Sequence, residues 1–367
     1  MSLEGVLGIS DKRSYLSKCR VLKVLSNQRE EKEMKKFLVV LLCLMLVMGV
    51  TACGGSEPAG EGEETYLIRI ASDETIDTPC SEATLIFKQL MEDGSDGRVK
   101  VEYFNDSAMG DEREIAESVH LGNLEMGIIS SAYLSTYAPD WYITELPYVF
   151  MDRQEMYGFL DGEVGDFLKE RLVENSNIRA LDFADGSFKA LLNNKKAITS
   201  VNDLAGLKIR CQENQMNMSL YKSWNGTAIP MGFSEIYTAL QQGAIDGVDT
   251  SPLYMRSGKF YEVAKEYTLT NHQALLMVSI INTDFMNSLP EDLQQLVLEA
   301  SHEAYTVQER MIVEEAEQYA TDVMDEAGCV EYVLSDAERD TFVQASRVVL
   351  EEYRSRINPA LYEMIGL

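Results

Sequence analysis

A chain of 367 residues with 46% apolar side chains can bury the cores of two ordinary domains, which excludes a disordered polymer. Its formal net charge of −28 excludes nucleic acid and an anionic lipid surface as main partners, because both would be repelled. An anionic ligand would need a local cluster of positive charge.

The chain opens with residues 1–33, and then Lys35 and Lys36 precede an unbroken apolar run from Phe37 to Val50 and the tetrad Val50-Thr51-Ala52-Cys53. This pattern predicts a lipoprotein signal peptide over 34–52, with Cys53 as the lipidated first residue of the mature chain. The apolar run is shorter than the roughly 20 residues of a comfortable membrane span, although a short uncleaved anchor is the alternative. Residues 1–33 are expected to lie upstream of the true start at Met34, since Arg29-Glu30-Glu31 is what a purine-rich ribosome-binding site would encode. Residues 53–65, rich in Gly and Glu, predict a flexible tether that holds the globular part about 20 Å from the membrane.

In the globular part, LIRIA (67–71) alternates as a strand, and a helix is expected from about Pro79, with Ala83, Phe87, Leu90 and Met91 at helical spacing. The strand VKVEYF (99–104), a helix over 112–121 and the strand MGII (126–129) follow. Strand, helix, strand, helix, strand predicts a parallel-rich α/β layer structure, in which ligands meet the chain beyond the carboxyl ends of strands. Asp73, Glu74, Ser130 and Ser131 are cleft candidates on that ground. Asp111 and Glu112 suit the positive end of their helix, and plain capping is the simpler role for both.

IRALDFA (178–184) reads as another strand, and a short apolar strand ends in Arg210. Gln212 and Asn214 stand just beyond it as supplementary polar candidates, while Met216, Met218 and Leu220 suit a core. Ser234 is placed to cap a helix carrying Tyr237, a further ligand-contact candidate, and Gly243 to end it. ALLMVSII (274–281) is a buried strand. From Pro290 to Ala327 a helical pattern would reach roughly 57 Å if continuous, or would divide into two shorter helices. The remainder to Leu367 reads as further helix.

The three histidines, His120, His272 and His302, stand in no recognised catalytic or metal motif. With Cys53 lipidated, the mature cysteines Cys80, Cys211 and Cys329 are odd in number and widely spaced, which predicts at most one internal disulfide and no metal site. No catalytic residue and no cofactor are expected.

The stretches DLAGLKIR (203–210), GTAIPMGFSEIYTALQQGAIDG (226–247) and KFYEVAKEYTLTNH (259–272) closely resemble the solute-binding proteins of tripartite ATP-independent periplasmic (TRAP) transporters, of the DctP type. NDSAMGDEREIAESVHLGNLEMGIISS (105–131) and ELPYVFMDRQEM (145–156) share the likeness. The resemblance covers nearly all of residues 66–367, and its specific part is 200–272. It implies a periplasmic-binding-protein-like α/β fold, with two α/β domains joined by a hinge and a long helix spanning both. Residues 66–187 plus 276–317 would form domain I, and 188–275 plus 318–367 domain II. It further implies a monomer that captures a small organic acid outside the cell and delivers it to the TRAP membrane permease.

On the same ground Arg210 stands at the carboxylate-binding position, where a guanidinium presents parallel donors to two oxygens; a structural salt bridge is the alternative. Lys189 stands near a second basic position, and is either a ligand contact or a solvated surface lysine. Phe233 would pack on the ligand, or staple the core. Thr250 replaces an asparagine common in the family, so the particular acid does not transfer. A chemosensing receptor would use the same cleft, and a secreted lipoprotein enzyme is the remoter alternative.

Overall fold

Alternating burial builds the first strands: in Tyr66–Ala71 (β1) Ile68 and Ile70 are buried and Leu67 is exposed, and in Val99–Phe104 (β2) Val99 and Val101 are buried. The computed structural model describes residues 65–150 and 152–366, so the expected leader, Cys53 and nearly all of the tether lie outside the described residues. Among the described residues no helix is long and apolar enough to cross a membrane.

Two mixed sheets form the framework of two α/β lobes. In the first, β1 lies parallel between β2 and Met126–Ser130 (β3). The strand Ala274–Asn282 (β10) then runs antiparallel to both β3 and Ile178–Phe188 (β4). The expected parallel character holds only for β1 to β3, because β10 enters this sheet from the other lobe and so runs backwards. In the second sheet Lys208–Cys211 (β6) is parallel to Thr227–Pro230 (β7) and to Gly247–Thr250 (β8). Ala190–Asn193 (β5) pairs antiparallel with β8 and with Glu266–Leu269 (β9). Val330–Val333 (β11) is a parallel edge strand beside β9, where the sequence reading expected helix; four largely exposed residues carry too little alternation to announce a strand.

The chain crosses between sheets where β4 passes into β5 through Lys189, and again between β9 and β10. Backbone geometry is tight at both. Ser187 takes a left-handed φ of 70° and Asn271 one of 44°, conformations that L side chains adopt only where the surroundings enforce them. Gly186 lies so close to β10 that a Cβ there would sit 2.4 Å from the Leu275 carbonyl oxygen. A third connection is helical. Glu291–Ser301, a π-helical stretch His302–Gln308 and Glu309–Glu326 follow one another with helical backbone throughout, so the pattern is one long helix with a widened turn. Its last part packs against β4 and the helix Pro79–Gly94 in the first lobe and against the helix Pro252–Ser257 in the second.

The C-terminal helix Asp336–Tyr353 packs on Gln215–Ser223 in the second lobe, with the Trp224 indole donating to Ser346 Oγ at 3.0 Å. Beyond it the chain turns back to the first lobe. Asn358 N donates to Asp140 at 2.7 Å, and Tyr353 stacks edge-on against Tyr142 at 4.8 Å. The final turns therefore sit on the first lobe, although 318–367 was expected to belong to the second.

Candidate functional site

Arg210 is positioned by a short strand whose neighbours leave it one direction to point. Ile209 and Cys211 are fully buried in the core, β6 is held between β7 and β8, and Asp246 accepts the Lys208 N–H at 2.9 Å. The guanidinium is only 2% exposed. Its Nε donates to the Met231 carbonyl at 3.0 Å and Nη1 reaches the Asp249 carbonyl at 3.5 Å. Among the described residues no carboxylate is ion-paired with it, so the structural salt bridge weighed as its alternative role is not formed.

Two buried carboxyl groups of the first lobe, Asp73 and Glu112, feel the charge of this cation, and Glu74 acts on both of them. Asp73 and Glu74 follow the carboxyl end of β1, and Glu112 opens the helix Glu112–His120. Burial raises Glu112 to about 7, against a hydrogen bond from Ser130 N and the pull of Arg210, which both lower it. Glu74 is likewise raised to about 7 by burial, although the hydroxyls of Thr78 and Tyr254 donate to it, the latter at 2.9 Å. Asp73 is raised by burial and by the neighbouring charges of Glu112, Glu74 and Asp111, with Arg210 opposing. Its carboxylate accepts no hydrogen bond among the described residues. Gln212 Nε2 donates to Glu112 at 3.4 Å, and Gln212 Oε1 is buried without a partner. Among the described residues no set of three or more His, Cys, Asp or Glu side chains is arranged to hold a metal ion.

Lys189 sits elsewhere. It is neither solvated nor directed at Arg210: at 1% exposure its Nζ lies 3.4 Å from Glu145 Oε2 and 3.1 Å from Gln273 Oε1. Ser131 joins this second cluster by donating to Glu145 Oε1 at 2.9 Å, and Asn217 donates to Oε2 at 3.4 Å. Asp249 lies beyond, fully buried. Burial alone would raise its pKa, yet His272, 3.4 Å away, together with Lys189 and Tyr221 holds it below the ordinary value.

The other candidates divide. Ser130 reaches the Arg210 cluster through its backbone N–H to Glu112. Thr250, buried at the end of β8, lies one residue beyond the Asp249 carbonyl that Arg210 contacts. Phe233 is half-buried between the lobes, 6.0 Å from the Tyr254 ring and 5.3 Å from that of Phe260. Asn214 caps its helix by accepting from Met216 N and Asn217 N, and spends its amide on the Ala132 carbonyl at 2.7 Å. Tyr237 is not brought to the site, because its hydroxyl donates to Glu262 at the surface. Ser234 does not cap; its hydroxyl donates across the lobes to Asp111 at 3.2 Å. Gly243 does end its helix, with φ 71°.

Glu112 and Tyr254 are site residues that the sequence reading did not select. Glu112 was weighed as a cap, and it is the next residue that caps: Asp111 holds the N-cap position while Glu112 turns inward. The signal available was an acid immediately after Gly110-Asp111 at a helix start.

The lobes meet directly around Arg210. Besides the Gln212–Glu112, Asn214–Ala132, Ser234–Asp111 and Tyr254–Glu74 bonds, Arg113 pairs with Glu213 at 3.2 Å and Arg256 with Asp77 at 2.5 Å. A buried cation between closing lobes is the arrangement of a receptor for a small anion. The family model described as bacterial extracellular solute-binding protein, family 7 (DctP) matches residues 70–356. The chain belongs to that family. It is an extracytoplasmic solute-binding protein and not an enzyme.

The C4-dicarboxylate-binding periplasmic protein DctP of Rhodobacter capsulatus is 30% identical to this solute-binding protein over 324 residues, covering 87% of this chain and 93% of its own. Among solved structures, a TRAP periplasmic solute binding protein of Roseobacter denitrificans with bound β-D-glucuronate superposes with TM-score 0.78 at 26% identity, covering 82% of this chain and 98% of its own. Another, of Sulfurospirillum deleyianum with bound succinate, gives TM-score 0.77 at 27% identity, covering 83% and 99%. The two-lobed α/β fold and the family inferred from the motifs are those these comparisons give.

Proposed function

We propose that this protein captures a small organic acid between its lobes, with Arg210 as the carboxylate anchor, and delivers it to a TRAP membrane permease. The observation that carries the reading is the Arg210 guanidinium, buried in the cleft with no carboxylate of the described residues ion-paired with it. A buried cation without a directly bonded anion is costly, and a ligand carboxylate supplies one through charge-assisted hydrogen bonds of about 1.5–3 kcal/mol. The carboxylic acids held by the two solved relatives support the same class.

In this reading residues 66–187 plus 276–317 and residues 188–275 plus 318–353 move as two bodies, with 354–366 carried by the first. The crossings at Lys189 and between Leu269 and Ala274 act as the hinge. Phe233 and Thr250 line the ligand's space, and Ser130 orients Glu112. The protein works as a monomer, held to the outer face of the membrane by lipid on Cys53. Its closed form is what the permease recognises, and the kinship with transport proteins favours this role over a signalling receptor.

Thermal unfolding of the full chain against a panel of carboxylates, run beside Arg210→Ala, tests the anchor. A true ligand at a hundredfold excess over its Kd stabilises by about 2.7 kcal/mol. Stabilisation of the native protein that the variant lacks is expected; equal response of the variant would reject the assignment.

A further inference from the structure

The seam between the lobes sets acids of the first lobe against neutral groups of the second. Glu74 and Glu112, 1% and 5% exposed, each accept one bond from across it, Glu74 from the Tyr254 hydroxyl at 2.9 Å and Glu112 from Gln212 Nε2 at 3.4 Å. Their remaining donors lie within the first lobe and are also uncharged, the Thr78 hydroxyl on Glu74 and the Ser130 N–H on Glu112. Among the described residues neither carboxyl group forms an ion pair. We propose that the seam is a proton-linked latch: Glu74 and Glu112 take up protons as the lobes close and give them up as the lobes open. The proposal rests on the two-body motion proposed above and not on the identity of the ligand.

The argument begins with water. Closing the seam takes both carboxyl groups out of solvent and returns to each a single neutral donor, which does not replace the hydration of a full charge. A protonated carboxyl group tolerates the same place, because it still accepts and carries no net charge. Opening withdraws Tyr254 and Gln212 with the second lobe, and water brings both groups back to the ordinary carboxylate range. In the closed form burial raises both to about 7. The closed form therefore holds more protons than the open one. Closure is favoured at low pH, and that advantage is lost as pH rises from 4.5 through about 7.

The groups facing the pair leave this sign unchanged. Tyr103, Tyr133, Tyr254, Tyr305 and the Cys80 thiol are all raised by burial from values already above the window. Arg210 is a fixed cation that lowers Glu112, and its pull is less than the effect of burial. Asp73 is raised by burial and by Glu112, Glu74 and Asp111, so it titrates in the same direction. Asp77 is lowered, its burial notwithstanding, by the Thr75 hydroxyl and by Arg256, with which it pairs at 2.5 Å. Asp111 accepts from the Ser107 and Ser234 hydroxyls at 3.1 and 3.2 Å, and Arg113 is paired with Glu213 at 3.2 Å. Glu309, raised by burial and by Asp185, takes its bond from Asp185 N at 3.1 Å within the first lobe.

Small-angle X-ray scattering of the full chain without ligand, at pH 5.5 and pH 8.0, reads the separation of the lobes, with circular dichroism at both values to show that the fold is kept. The proposal predicts a radius of gyration larger by about 0.5–1 Å at pH 8.0, the scale of a hinge opening. The double variant Glu74→Gln/Glu112→Gln, whose side chains keep their shape and stay neutral, should be compact at both values. Arg256→Glu sets a second acid against Asp77 across the same seam and should be expanded at pH 8.0 with or without the latch. A native radius that is unchanged or smaller at pH 8.0 while Arg256→Glu is expanded would overturn the latch and leave the hinge standing. A double variant that keeps the native pH response would overturn the latch as well. Equal radii in all three proteins at both values would remove the hinge motion itself, and the latch with it.

Discussion

The Nζ of Lys189 lies 3.4 Å from Oε2 of Glu145, with 2% and 1% of the two side chains exposed. The pair sits at the crossing from β4 to β5, where Lys189 N also donates to the Gln273 carbonyl at 2.8 Å and Gln273 Nε2 bonds the Glu145 carbonyl. It therefore fastens the connection between lobes. Lys189→Met would leave Glu145 buried without its cation and is expected to cost about 3–5 kcal/mol of stability. The double variant Lys189→Met/Glu145→Gln should regain part of that loss. Denaturant unfolding of both checks this; a single variant as stable as the native protein would show the lysine to be dispensable.

The buried acids Glu74 and Glu112 predict a pH dependence. Glu74 and Glu112 are raised from 4.5 to about 7, so between those values the folded chain holds protons that the unfolded chain has released. Stability contributed by these groups therefore falls as pH rises through that window and is level above it. The midpoint of thermal unfolding without ligand should be lower at pH 7.5 than at pH 5.5, and Glu112→Gln should reduce the difference by a few degrees. Scanning both proteins at both values tests it, with an unchanged pH slope in the variant as the contrary result.

Closure depends on a residue without a side chain. Gly232 faces Asp111 of the opposite lobe, and a Cβ there would lie 2.0 Å from Asp111 Oδ2. Gly232→Ala should force the lobes apart or displace Asp111 from Ser234, weakening ligand binding about three- to tenfold while the unfolding midpoint without ligand moves little. Titration beside a thermal scan separates the effects; unaltered affinity would mean that Asp111 yields freely.

Much of this was legible before the structure. The place of Arg210, buried at the end of β6, could be found because it depends on a local pattern, an apolar strand ending in a cation, within a stretch that resembles the family. The strands β1 to β3 were equally legible, since their alternation is local. What the sequence could not display was pairing over distance. Lys189 and Glu145 are 44 residues apart, and nothing local tells a lysine that will be buried against an acid from one left in water. Glu112 could not be told from a capping acid, because Asp111 beside it has the same charge and does the capping. Tyr237 failed as a candidate for the converse reason. It lies in a specific motif, but its position on the helix Ile236–Gln242 turns it toward Glu262 and away from the cleft.

The most direct test of the central claim is a crystal structure of the protein with the acid that stabilises it most. The account predicts the ligand carboxylate on the Arg210 guanidinium at about 2.7–2.9 Å, with Lys189 still on Glu145. A carboxylate bound by Lys189, or a ligand seated between the lobes with no oxygen on Arg210, would contradict it.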